Sequence, residues 1–252
     1  IVVAGHSLGG QFVQRWTLLT RFWEKDRFHA VVANPSSYAY LTPKRFIDGV
    51  WIIPNTNSHN NYNNDKDAGH VPCLGYNKWE WGLDPGGNYS VRYLEDTLRE
   101  INNNSTTLIR RFLDRKTIYM IGSLDQCNIS VSDNNTATAD WCYSHGLETT
   151  CADQLQGRTR YERHELYFES LQQLTTTTTT MDQTDHPYDF QFQHHAVTVK
   201  NVGHDHSLMF NSPEGIYALF KKGGVVRSNV ADSTYLREEP IKSKPDIAHD
   251  FR

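Results

Sequence analysis

An α/β fold with a mostly parallel sheet is the architecture these 252 residues predict. Three observations lead to it. Short β-branched apolar runs recur at Ile1–Ala4, Ala30–Ala33 and Thr117–Ile121, each the length of a buried strand. A glycine-rich turn and a helix-period segment separate the first two. Strand, turn, helix, strand is the βαβ signature of parallel pairing.

The elements follow in order. After the strand at Ile1–Ala4, Gly5–Gly10 is a turn, and Gln11–Trp23 places Phe12, Val13, Trp16, Leu19 and Phe22 on one helical face. Asn34-Pro35 closes the second strand. Periodicity weakens from Ser36 to Asp114, and Asn55–Asp67 is a polar, Asn-heavy loop. Trp51, Tyr76, Trp79, Trp81 and Tyr89 mark an aromatic-rich, cap-like insertion over residues 38–113. Its last part, Ser90–Leu113, has helical period with Leu94, Leu98, Ile101, Leu108 and Phe112 inward. The third strand ends in Gly122-Ser123-Leu124-Asp125. Tyr161–Leu174 is a further helix, and Thr175–Thr180 is a low-complexity connector. His195–Val202 alternates as a fourth strand and ends at Gly203-His204, before a helix at Pro213–Lys222. Residues 1–226 are expected to form one domain and 227–252 a charged, mobile tail.

Composition narrows the function. The net charge of −4 lacks the basic excess of a nucleic-acid binder, so a small or neutral partner is expected. No apolar run approaches the roughly 20 residues that span a bilayer. Cys73, Cys127, Cys142 and Cys151 allow three disulfide connectivities, and none has metal-site spacing. N-x-S/T sites stand at Asn88, Asn103, Asn104, Asn128 and Asn134, acceptors only in a secreted chain. The clustered cysteines tilt the expectation towards an oxidising, secreted setting.

Gly5-His6-Ser7-Leu8-Gly9-Gly10 matches G-x-S-x-G between a strand and a helix. A turn this sharp strains its central residue and lifts the hydroxyl above the strand ends. The following helix offers free backbone N–H groups, so the amide of Leu8 can stabilise a developing oxyanion. A serine nucleophile needs a base, and the base needs an orienting carboxylate. Asp125 and His204 each lie just past a predicted strand, where ligands meet an open parallel sheet. Asp133, Asp140 or Asp153 could supply the acid instead, and His206 could compete as the base. His204-Asp205-His206 could form a metal pair, but no third ligand is placed by spacing. Asp205 diverges from its neighbour in an extended segment. His6 either flanks the pocket or packs beside the elbow.

The elbow, Asn34-Pro35-Ser36-Ser37-Tyr38, Gly122–Asp125 and Val202-Gly203-His204-Asp205 together resemble the α/β-hydrolase superfamily. Gln156-Gly157 with Arg160, leading into the next helix, is similar to a branch seen in bacteria and microbial eukaryotes. The resemblance implies a serine hydrolase acting on esters, with Ser7 as nucleophile, His204 as base and Asp125 as acid. It also implies strands ahead of the nucleophile strand, which this chain lacks, so the sequence is expected to be a C-terminal part of that fold. The expected partner is a small-molecule ester, and no cofactor is called for. The competing expectation is a non-catalytic binding protein, or a truncated remnant, on a hydrolase scaffold.

Overall fold

Val2–His6 forms β1, which turns through Ser7 into α1 (Leu8–Leu19) and returns as β2 (His29–Ala33). A hairpin of β3 (Arg45–Ile47) and β4 (Val50–Ile52) follows, then α2 (Arg92–Glu100), α3 (Ser105–Leu113) and β5 (Thr117–Gly122). The chain ends through α4 (Cys151–Gln154), α5 (Arg160–Thr180), β6 (His194–Val199), α6 (His206–Asn211) and α7 (Pro213–Phe220). This computed structural model describes residues 1–54, 73–85, 92–127, 146–180 and 191–221, with the backbone alone over 176–180. Outside them lie the whole Asn-heavy loop, Tyr89, Cys142, Asp133, Asp140, the sequons at Asn88, Asn128 and Asn134, and the tail.

β1, β2, β5 and β6 form one parallel sheet in that order, with β1 at one end. Its two faces are both covered. Ala30, Val32 and Tyr119 face a core with Val13, Leu18, Leu108, Phe112, Tyr167 and Leu171, drawn from α1, α3 and α5. Val31, Ala33, Ile118, Met120, Val197 and Val199 face the other way, against Met209 and Ala218 of α6 and α7. β2 and β5 are buried along their whole length, which is why they read as unbroken apolar runs. Among the described residues no helix is long and apolar enough to cross a membrane.

Several elements differ from the sequence expectation. α1 buries Gly10, Gln11, Val13, Gln14, Thr17 and Leu18, while Phe12 and Phe22 are 66% and 77% exposed. Hydrogen bonding outranks apolarity here: Gln14 donates Nε2 to the Ala39 carbonyl and the Tyr167 hydroxyl, and accepts from the Ala39 amide. The expected single helix over 90–113 is two. Asn102 and Asn103 take left-handed backbone angles, and Asn104 caps α3 by accepting from the Thr107 amide. The hairpin was not anticipated, although Asp48-Gly49, both at positive φ, is a strong two-residue hairpin signal. The six threonines continue α5; Thr175 is accommodated by donating its hydroxyl to the Gln172 carbonyl.

The insertion is pinned by a buried arginine. Arg45 is fully enclosed, stacks on Tyr40 and Tyr76 at 4.2 and 5.1 Å, and donates to the carbonyls of Thr42, Lys44, Tyr76 and Trp81. Cys73 is bonded to Cys151, which fastens this segment to α4; Cys127 is also disulfide-bonded. Gln156, just past α4, clasps Tyr38 through both its amide and its carbonyl at 2.8 Å each. The loop after β2 is thereby held against the start of α5.

Candidate active site

The elbow is built by steric exclusion. Ser7 sits at φ 57°, ψ −122°, a strained conformation for a residue with a side chain. Its amide donates to the Ala33 carbonyl of β2 at 2.9 Å, and its carbonyl accepts from Gln11. A Cβ on Gly5 would lie 2.2 Å from the Gly9 carbonyl oxygen, and one on Gly10 would lie 2.7 Å from the Ala33 oxygen. Gly9, the second glycine of the G-x-S-x-G pattern, faces open space. The packing demand therefore falls on Gly5 and Gly10.

The structure brings together the three residues singled out by their order. His204 Nε2 lies 2.9 Å from Ser7 Oγ, and His204 Nδ1 lies 2.7 Å from Asp125 Oδ2. A carboxylate only accepts, so Nδ1 carries the ring proton and Nε2 is left to accept from the serine hydroxyl. All three follow strand ends: Ser7 after β1, Asp125 after β5, His204 after β6. Leu8 opens α1 at the N-terminal end, where helical N–H groups lack intrahelical partners. Its side chain is 71% exposed beside the serine.

Asp125 is fully buried and heavily partnered. Asn34, just past β2 at φ 44°, donates its amide to Asp125 Oδ2 and to the Gly203 carbonyl, both at 2.9 Å. Its oxygen accepts from the Gly122 amide at 3.1 Å. Arg160 Nη1 stands 3.5 Å from Asp125 Oδ1. Sequence reasoning missed Asn34 and Arg160 as parts of the site. An Asn ending a β-branched run was a signal, because Asn tolerates left-handed backbone; Arg160 stood in the Gln156-Gly157 stretch that carries part of the resemblance, which gave it no place at the site.

Of the competing residues, Asp153, Asp205 and His206 are described, and none takes the place of Asp125 or His204 in this hydrogen-bond chain. Asp153 is buried and accepts from Trp81 Nε1 at 2.7 Å and from the Thr150 hydroxyl at 2.5 Å. Asp205 caps α6 by accepting from the Leu208 amide, which holds its carboxyl below the usual range. His206 lies beyond His6, the two rings 6.0 Å apart. His6 itself packs at 4.7 Å against the His204 ring. Burial first, and the neighbouring His204 second, push His6 down to about 4. Among the described residues no group of three His, Cys, Asp or Glu side chains is placed to hold a metal ion.

These buried histidines set an acid limit on stability. Burial also pushes His164 and His194 down to about 3. Each binds a proton more weakly folded than unfolded, so its contribution is complete above about pH 6.5 and fades as pH falls towards 4 and then 3. Urea unfolding at pH 7, 5.5 and 4.5 should show stability falling on acidification, with net proton uptake on unfolding near pH 5, to which His29 and His195, also lowered by burial, add. A flat profile would contradict the neutral, buried state of these rings.

A parallel sheet with helices on both faces, a serine on a strained strand-to-helix turn, and an acid and a histidine past later strands define the α/β-hydrolase type of fold. LpqC, a poly(3-hydroxybutyrate) depolymerase from Bordetella parapertussis, shares that fold at 18% identity and a TM-score of 0.50, over 89% of this chain and 50% of its own. Poly(aspartic acid) hydrolase-1 from Sphingomonas sp. KT-1 aligns at 17% identity and a TM-score of 0.44, over 82% of this chain and 50% of its own. The chain thus spans about half the length of these solved structures. No protein-family model matches it, and no curated protein matches it.

Proposed function

We propose that this chain carries the catalytic residues of a serine hydrolase that cleaves small-molecule carboxylic esters through an acyl-enzyme. One observation carries the reading: an unbroken hydrogen-bond chain from Ser7 Oγ through His204 to Asp125, at 2.9 and 2.7 Å. His204 Nε2 takes the hydroxyl proton as Oγ attacks the ester carbonyl. The oxyanion faces the Leu8 N–H at the start of α1. His204 then returns the proton to the departing alkoxide, leaving the acyl group on Ser7. Water attacks that ester with His204 again as base, and the carboxylic acid leaves. The sequence of steps calls for no cofactor. The fold likeness to a polyester depolymerase supports the ester class. The Cys73–Cys151 bond supports an oxidising, secreted setting.

The test is intact mass and peptide mapping after reaction with a fluorophosphonate. One adduct, on Ser7, is expected. A folded chain that takes no adduct would favour a binding protein on a hydrolase scaffold.

A further inference from the structure

β2, β5 and β6 begin at the end of the sheet opposite Ser7, at His29, Thr117 and His194. A cavity of about 480 Å³ opens there, within the size range of small-molecule sites. Its walls hold Lys25, Arg27, Lys116 and Lys221 against Asp26 and Asp114. That is a local surplus of positive charge on a chain whose net charge is −4.

Backbone contacts decide where two of these cations stand. The Lys116 carbonyl accepts from the Ala30 amide at 2.9 Å, which fixes the residue just ahead of β5 against β2. His29, at the start of β2, donates Nε2 to the Ala218 carbonyl at 2.9 Å and so ties β2 to the last turn of α7. Lys221 closes α7 with its amide on the Tyr217 carbonyl and a left-handed φ of 52°, a conformation that glycine adopts at less cost. Its side chain meets that of Lys116.

Two ammonium groups in contact repel. Burial, and then the contact with Lys221, hold the Lys116 amine below its ordinary range. The other cations of the cavity are already matched: Lys25 pairs with Asp114 at 2.6 Å and Arg27 with Glu24 at 2.8 Å. Asp26 attracts Lys116 without pairing with it. Among the described residues neither Lys116 nor Lys221 forms an ion pair with a carboxylate. A positive charge at Lys221 suits the carbonyl end of α7, yet that end calls for no second lysine beside it. An anion seated between the two would replace their repulsion with attraction to a shared partner. Each ammonium is a compact point charge, so a compact oxyanion such as phosphate suits the pair. Gln193 adds a carboxamide donor to the same wall, and Phe28 an apolar surface.

We propose that Lys116 and Lys221 form an oxyanion-binding site at the base of the sheet, suited to a phosphate group, free or carried by a small organic molecule. The site stands apart from Ser7, and it does not depend on the hydrolase reading.

The experiment titrates inorganic phosphate, and in a second arm phenyl phosphate, into the native chain by calorimetry at pH 7, with sodium chloride holding the ionic strength constant. A single saturable site is expected. Lys116→Met and Lys221→Met should each weaken binding about tenfold, the loss of one charged contact. Lys44→Met, at an exposed position outside the cavity wall, should leave it unchanged. Lys221 is exposed, so its replacement disturbs no core. In chloride alone Lys221→Met should melt no lower than the native chain, because the repulsion is gone, and phosphate should raise the native melting temperature by more than that of the variant. Tighter binding of phenyl phosphate assigns the site to an esterified ligand, equal or weaker binding to the free ion, and either upholds it. No saturable binding of either probe by the native chain, or a folded Lys221→Met that keeps the native affinity, overturns the proposal. The same loss in Lys44→Met as in Lys221→Met overturns it too, since the effect would then be one of overall charge.

Discussion

Ser7→Ala should lower ester turnover by about 10^6-fold, in line with loss of the nucleophile from a serine–histidine unit that acts as one, and leave the protein at least as stable as before. The two halves of that expectation have separate origins. Turnover depends on Oγ, whose one described polar contact is His204 Nε2 at 2.9 Å. Stability depends on the backbone, which the substitution leaves at φ 57°, a cost that serine and alanine share. Ser7→Gly should match the activity loss and raise the melting temperature, because glycine adopts positive φ freely. Hydrolysis of p-nitrophenyl acetate and a thermal melt of each variant check this. Residual turnover near the native rate in Ser7→Ala would remove the serine from the mechanism.

Removing the Cys73–Cys151 bond should destabilise the chain by about 4 kcal/mol, the loop-closure value for a bridge of this span; the bonded residues are 78 positions apart. That corresponds to a fall in melting temperature of roughly 10 °C. The paired substitution Cys73→Ser with Cys151→Ser is the appropriate variant, since a single change leaves a free thiol. The bond closes a small cluster of Cys73, Tyr76 and Ala152, with Trp81 and Leu155 against it. Next to that cluster, Trp81 Nε1 donates to Asp153, and Gln156 clasps Tyr38. Loss of the bridge should therefore loosen α4 before the parallel sheet. Hydrogen exchange should show faster opening around Ala152–Gln156 than along β5. A melt that does not move would mean that the bridge constrains little that packing does not already hold.

What could be read from the sequence follows from where its information is local. β2 and β5 announce themselves because both faces are buried, so every residue except His29 is apolar or small. Ser7, Asp125 and His204 each stand just past such a run, and their order along the chain favoured them while leaving Asp133, Asp140, Asp153 and His206 as alternatives. Other features depend on partners far away in sequence. α1 turns Gln14 inward to bond Ala39 and Tyr167 and Gln11 inward to accept from the Ser37 hydroxyl, and Phe12 is left outward. No period within the helix encodes that. Asn34 and Arg160 belong to the site only through contacts with a carboxylate 91 and 35 residues away. The hairpin is a different case: Asp48-Gly49 was a local signal, masked by the weak alternation of the residues around it.

The side chain of Asn34 joins the ends of three strands, and this bears on how the molecule is made. Its bonds to Asp125 and Gly203 span 91 and 169 residues, and the contact of His204 with Ser7 spans 197. Contacts that close such long loops form late, after the sheet has paired. A nascent or half-folded chain thus displays the serine without its base. On the hydrolase reading proposed above, Ser7 therefore meets its base only when the last described strand, β6, has docked.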